Sequence, residues 1–290
     1  MTFVVDLVGH VRDGHGQGNR GRSNGLGNMM SRRGLVLGLV FSAPIVAIPL
    51  VQIPMMVWAR WAFYQRHPDY VQHSAPTISR AISDPVIGTP FAAMILAVTT
   101  IIALALVPIV NGYRLGIMAR YGAGEERRRR SLMRLLVIVL MAQLIGSGGM
   151  VLCTQYTFAN NHDLHMLGSY LFFLGQGTAI FLSGYLGSRL VDMPDDGLRP
   201  RLALLPRMNA LRVRAAKIIT LTTVLYLAMF VLKGLVPDTI EYTVYYIYTL
   251  QEIVAISAFI VYFALFAPDL FGIGRSLGAA RSPLPAGATG

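Results

Sequence analysis

Between residues 34 and 266 the sequence divides into six apolar runs, at about 34–57, 90–110, 135–155, 162–187, 218–236 and 242–266. Each is close to or above the length that crosses a bilayer as a helix, about 20 residues. Hydrocarbon gives a bare peptide group no hydrogen-bond partner, so spanning segments are helices or closed barrels, and long runs without alternation exclude the barrel. The fold class that follows is an all-α integral membrane protein, a six-transmembrane-helix bundle with one long ordered outer loop between helices 1 and 2. Composition agrees, with 54% hydrophobic and 13% charged residues, where a soluble domain is about a quarter charged. Pro44, Pro49 and Pro54 fall inside the first run and predict a kinked helix.

The net charge of +11 is not gathered on one folded face. Basic residues fill the gaps between apolar runs, which speaks for membrane topology and against nucleic acid as a partner. Of the 25 Lys and Arg, all but Arg60, Arg66, Arg80 and Lys233 fall at one end of the expected bundle. That asymmetry places both termini in the cytoplasm; it does not distinguish plasma membrane from endomembrane. Residues 1–33 read as a disordered basic cytoplasmic tail, 34–267 as the six-helix domain, and 268–290 as a disordered cytoplasmic tail. The first apolar run continues to Trp58 without a small-residue cleavage site and reads as a signal anchor, and Met29 or Met30 would also serve as a start. Cys153 is the single cysteine, so no intrachain disulfide forms. No Walker A loop or CxxC pair is present, and neither a cofactor nor a metal is expected.

The fourth run is organised in two faces. His165, Gly168, Phe172, Gly175, Gln176, Ala179 and Ser183 recur at helical spacing, while Leu167, Leu171, Leu174, Phe181 and Leu182 occupy the other side. Small and polar residues on a membrane helix face its neighbours, so this helix belongs at the centre of the bundle with His165 near its mouth.

The long outer loop, 58–89, carries Pro76-Thr77-Ile78-Ser79, then Arg80, Asp84 and Pro85. Prolines and Ser, Thr and Asp caps predict turns and a short helix, forming an ordered lid. This Pro-x-Ile-Ser loop followed by Pro85 resembles that of the DRAM/Frag/Sfk family. The run His165-Met166-Leu167-Gly168-Ser169-Tyr170 is similar to the family's histidine at the outer start of span four, and Glu252 stands where the family has a glutamate in the last span. The resemblance covers roughly 34–267 and implies a six-span eukaryotic-type membrane protein. The family includes autophagy modulators, a Golgi factor for GPI-anchor lipid remodelling and a regulator of phosphoinositide signalling. Arg80 departs from the aspartate that several members have after the serine.

Glu252 lies about ten residues below Tyr242, so roughly 15 Å into the bilayer. An ionisable group at that depth faces the bundle interior and either holds a ligand, ion or proton or serves helix packing. Gln143, Gln176, Thr99 and Thr100 are its candidate partners, Lys233 a weaker one. His165, Gln143, Gln176, Gln251 and Glu252 together form the expected cavity. His162, Asp163 and His165 with His67 or His73 have donors suited to zinc, but a helix start capped by Asn161 or Asp163, with His165 bonded to the lid, accounts for them more simply. Ser79 and His165 do not make up a complete hydrolase set, since Glu252 lies too deep to orient that histidine, and no catalytic residue is assigned. Arg127, Arg128, Arg129 and Arg130 form a cluster suited to anionic lipid. Three functions remain: a non-enzymatic protein that binds or organises membrane lipid or a membrane-protein partner; a lipid-remodelling enzyme or subunit acting on an acyl or GPI-type lipid; and a small proton- or ion-coupled transporter using Glu252.

Overall fold

The computed structural model describes residues 32–192 and 202–280, and within them the secondary structure is helical throughout. The helices are α1 (Arg32–Arg66), α2 (Pro68–His73), α3 (Ile78–Ala81), α4 (Pro85–Arg120), α5 (Glu126–Gln155), α6 (His162–Ser188), α7 (Pro206–Leu232), α8 (Asp238–Ala264) and α9 (Ala267–Ala280). Six helical segments are long and apolar enough to cross a membrane: α1, α4, α5, α6, α7, and the α8–α9 stretch. The chain is therefore a multi-pass integral membrane protein. Several of these helices run well past the apolar stretches. α4 continues to Arg120 and α5 begins at Glu126, because intrahelical hydrogen bonding goes on where the lipid ends. The helical assignment of α1 passes through all three of its prolines.

The spans close into a ring in chain order. α1 packs on α4, α4 on α5, α5 on α6, α6 on α7, α7 on α8, and α8 returns to α1. One face of each helix turns inward. In α4 this is Ile87, Phe91, Ile95, Val98, Ile102 and Ile109, spaced at helical intervals. Leu50, Leu104, Ile218 and Leu221 are exposed on the outside, where acyl chains replace water. In α6 every residue of the small and polar stripe is buried, from His165 to Ser183, while Leu167, Leu171, Leu174 and Phe181 point out.

The tightest seam joins α5 to α6. A Cβ placed on Gly149 would meet the Phe172 nitrogen at 2.5 Å, and one on Gly175 would meet the Gly146 nitrogen at 2.6 Å. The two backbones touch, which only glycine permits. The glycine spacing sets this contact; Gly148, on the same helix, faces open space.

Residues 269–280, expected from composition to belong to a disordered tail, instead form most of α9, which packs along α1. Pro268 sits in the first turn of α9, where its missing N–H costs nothing, so it starts a helix after the Leu265–Phe266 turn. An ion pair fixes this corner. Arg212 Nη1 donates to Asp269 Oδ2 at 2.6 Å and to the Leu265 carbonyl at 3.0 Å, Nη2 donates to Asn209 Oδ1 at 2.6 Å, and the guanidinium lies 4.3 Å over the Phe266 ring. Arg212 is thus a buried tie between α7 and α9 rather than a solvated topology charge. The tails 1–31 and 281–290 lie outside the described residues.

Gly175→Val should destabilise the folded protein by about 3 kcal/mol or more, since the added atoms meet backbone that has no room to yield. Gly148→Ala, at an open helix position, should leave stability unchanged or slightly raised. Thermal unfolding in detergent, followed by loss of the monodisperse peak, measures both.

Candidate functional site

At the end of the bundle away from the arginine clusters, α1 runs on to Arg66 and the chain returns to α4 through α2 and α3. The expected loop is thus largely helical. Thr77 Oγ1 accepts the Arg80 N–H at 3.0 Å and caps α3. Asp84 caps α4: its Oδ1 accepts the Val86 N–H at 2.9 Å. Its Oδ2 binds Arg66 Nε at 2.6 Å and lies 3.0 Å from His67 Nε2. Burial alone would raise the Asp84 carboxyl, but the Arg66 guanidinium, the Val86 N–H and His67 outweigh it and hold it below the usual carboxylate range.

Glu252, on α8, reaches up into this loop. Its Oε2 accepts the Ile78 N–H at 2.7 Å, and its Oε1 accepts the Ser79 hydroxyl at 3.4 Å. The first N–H groups of a helix have no partner of their own, and a carboxylate supplies one. The Pro-Thr-Ile-Ser segment and the glutamate of the last span are therefore two halves of one contact. Gln143, Gln176, Thr99 and Thr100 are not Glu252's partners. Gln143 donates to Ser147 at 3.2 Å, and the two threonines bond carbonyls of their own helix. Gln176 lies with Gln52 beside a separate void near Phe172, and Gln251 is half-buried on α8. Of the five expected cavity residues, only His165 lines the large cavity below the loop.

That cavity measures about 560 Å³. Its roof is Thr77, Ser79 and Arg80; its walls come from α6, α7 and α8. It is apolar and aromatic below, with Phe173, Leu227 and Phe230, and cationic above, with Arg80 and Lys233. Arg80 lies over the rings of Tyr70 and Phe158, at 5.3 and 5.6 Å. The Lys233 ammonium sits 4.2 Å from the centre of Tyr248, 4.6 Å from Phe230 and 5.4 Å from Tyr245. Among the described residues neither cation has an ion-pair partner and no Asp or Glu lines the cavity. In the sequence Lys233 reads as a group free to reach the surface. The signal of its aromatic surroundings is its place three residues after Phe230 and opposite Tyr245 and Tyr248 of the next helix.

His165 is fully buried. Its Nδ1 lies 2.8 Å from the Cys153 carbonyl and 2.9 Å from that of Tyr156. Two acceptors at one nitrogen require that Nδ1 carry the proton, which leaves Nε2 as a lone-pair acceptor without a partner. His165 is thus held by the end of α5, where helix carbonyls go unpaired, and not by the lid. Asn161 Oδ1 caps α6 by accepting the Leu164 N–H at 3.1 Å. The Ser79 hydroxyl turns to Glu252, so Ser79 and His165 do not assemble a nucleophile and base. Among the described residues no group of His, Cys, Asp and Glu is arranged to hold a metal ion. At the opposite end, Arg127, Arg128 and Arg130 are exposed, with Arg128 3.1 Å from Glu125.

Glu252→Ala should free the first turn of α3. Losing one charged, buried hydrogen bond costs about 1.5–3 kcal/mol, so amide exchange at Ile78 should accelerate roughly ten- to hundredfold. Asp84, held below its unfolded value, stabilises the fold at neutral pH, and that contribution is lost as pH falls through the lowered value. The melting temperature of the wild type should therefore drop more steeply below roughly pH 4 than that of Asp84→Asn.

No curated protein and no solved structure matches the chain. The Frag1/DRAM/Sfk1/Cwh43P N-terminal domain family matches residues 39–273, which cover the ring of spans and the loop that closes it. The chain belongs to the Frag1/DRAM/Sfk1/Cwh43P family.

Proposed function

We propose that this multi-pass membrane protein binds an anionic membrane phospholipid in the cavity beneath the α2–α3 loop and acts without catalysing a reaction. The observation that carries this reading is the polarity of that cavity. It has two cations at its top and aromatic and aliphatic walls below, and among the described residues it has neither an ion-pair partner for those cations nor a carboxylate in its lining. A phosphate fits the cations and an acyl chain fits the walls. Phosphatidylglycerol has both and serves as the probe.

The loop end is assigned to the outer or lumenal side, because the remaining basic residues gather at the other end, and both termini are assigned to the cytoplasm. The exposed side chains of Arg127, Arg128 and Arg130 then face the anionic inner leaflet. The transport alternative asks Glu252 to face a pathway, whereas its two oxygens are turned to Ile78 and Ser79. A lipid-remodelling reading has His165 as a base but no hydroxyl bonded to it.

Native mass spectrometry of protein from nanodiscs mixing phosphatidylglycerol and phosphatidylcholine tests the proposal. Phosphatidylglycerol should be retained in preference. With each basic group worth about 1 kcal/mol, removing both in Arg80→Ala/Lys233→Ala should weaken retention roughly thirtyfold. Equal retention of the two lipids, or retention unaffected by the double variant, would refute it.

A further inference from the structure

Resting on that reading, we infer that the acyl chain of the bound lipid leaves the cavity through the seam between α6 and α7, so the ligand is drawn sideways from the loop-side leaflet. Below the cavity a second groove of about 200 Å³ runs between these two helices. Phe173, Leu174 and Leu227 line both spaces, so the two adjoin. Nearer the loop, Tyr170 and Phe230 meet edge to face at 6.1 Å and bridge the same two helices. The opening therefore lies beneath that bridge and faces hydrocarbon: Leu174, Phe181 and Val224 are each more than half exposed.

The depth matches. Leu227 is six residues and Thr220 thirteen residues before Lys233. At the helical rise their Cα atoms lie roughly 9 and 20 Å along the helix from that of Lys233. One leaflet of hydrocarbon is about 15 Å deep, so the groove covers the interval that an acyl chain occupies when its phosphate sits at Lys233. The neighbouring seam offers no such route, because α5 and α6 touch backbone to backbone at Gly149 and Gly175. On the α6–α7 side the corresponding small residue, Gly177, faces only the Thr223 side chain, with its Cγ2 at 3.1 Å from a Cβ built there.

The test uses phosphatidylglycerol carrying a photoreactive diazirine on one acyl chain, incorporated at low density in phosphatidylcholine nanodiscs with the full chain, with cross-linked peptides mapped by mass spectrometry. Labelling of wild-type protein should concentrate on the α6–α7 seam, at Phe173, Leu174 and Leu227. Gly177→Leu, which fills the groove, should cut that labelling at least tenfold while retention of soluble dihexanoyl phosphatidylglycerol stays unchanged. Labels spread evenly over α1, α4 and α5, with Arg80→Ala/Lys233→Ala still weakening retention, would overturn the lateral route and leave the cavity reading standing. Retention indifferent to the double variant would bring down both. The wild-type map decides the matter even if Gly177→Leu does not fold.

Discussion

A carboxylate inside a membrane bundle is costly unless something inside the bundle meets it, and here the first turn of α3 does so. Glu252 is 2% exposed, and the peptide N–H and hydroxyl it receives belong to the loop. The contact works in both directions. The acid would be stranded without the loop, and the start of α3 would be unpaired without the acid. Arg60 adds to the balance from α1, with Nη2 on Thr249 at 3.1 Å and its guanidinium between Tyr64 and Tyr246. The result is a roof fastened from below by α8 and at its rim by Asp84, Arg66 and His67. Arg80 owes its place over the cavity to that fastening.

The ring is uneven, and the unevenness makes the site. Glycine pairs draw α5 onto α6 until their backbones meet. Across α6 the next seam is built from large rings: Phe173 lies 4.4 Å from Tyr226, and Tyr226 stacks on Tyr248 with their hydroxyls 3.0 Å apart. Aromatic walls hold helices apart, and the space they leave is the cavity. At the other end the Arg212–Asp269 pair, with Asp269 Oδ1 also accepting the Leu205 N–H at 2.5 Å, locks α7, α8 and α9 into one corner. Breaking one member of such a pair costs about 3–5 kcal/mol, so this corner is firmly tied.

Much of this is legible in the sequence, for definable reasons. Length and apolarity mark the six spans, since the bilayer allows few alternatives. The spacing of His165, Gly168, Phe172, Gly175 and Gln176 marks the inward face of α6, because helical period is local. Depth alone marks Glu252 as interior, but not its partner, because Ile78 lies 174 residues away and contributes only a backbone N–H. The same limit hides the Lys233 aromatic cage and the Arg212–Asp269 tie, where both members look like ordinary surface charges. The expected polar cavity of Gln143, Gln176, Gln251 and Glu252 does not assemble. Those residues share a preference for the interior, which says nothing about which of them meet. The composition of α9 misleads: richness in Gly and Ala, typical of a loose tail, is also what close packing against Gly34 and Gly38 of α1 demands.

The proposed function places a phosphate at the top of a roofed recess and an acyl chain below it. A cryo-electron microscopy map of the protein in phosphatidylglycerol-containing nanodiscs measures this directly. Forked density should appear with its head between Arg80 and Lys233 and one tail leaving between α6 and α7. A recess filled only by water, or closed by collapse of Tyr170, Phe230 and Tyr248 onto one another, would contradict it.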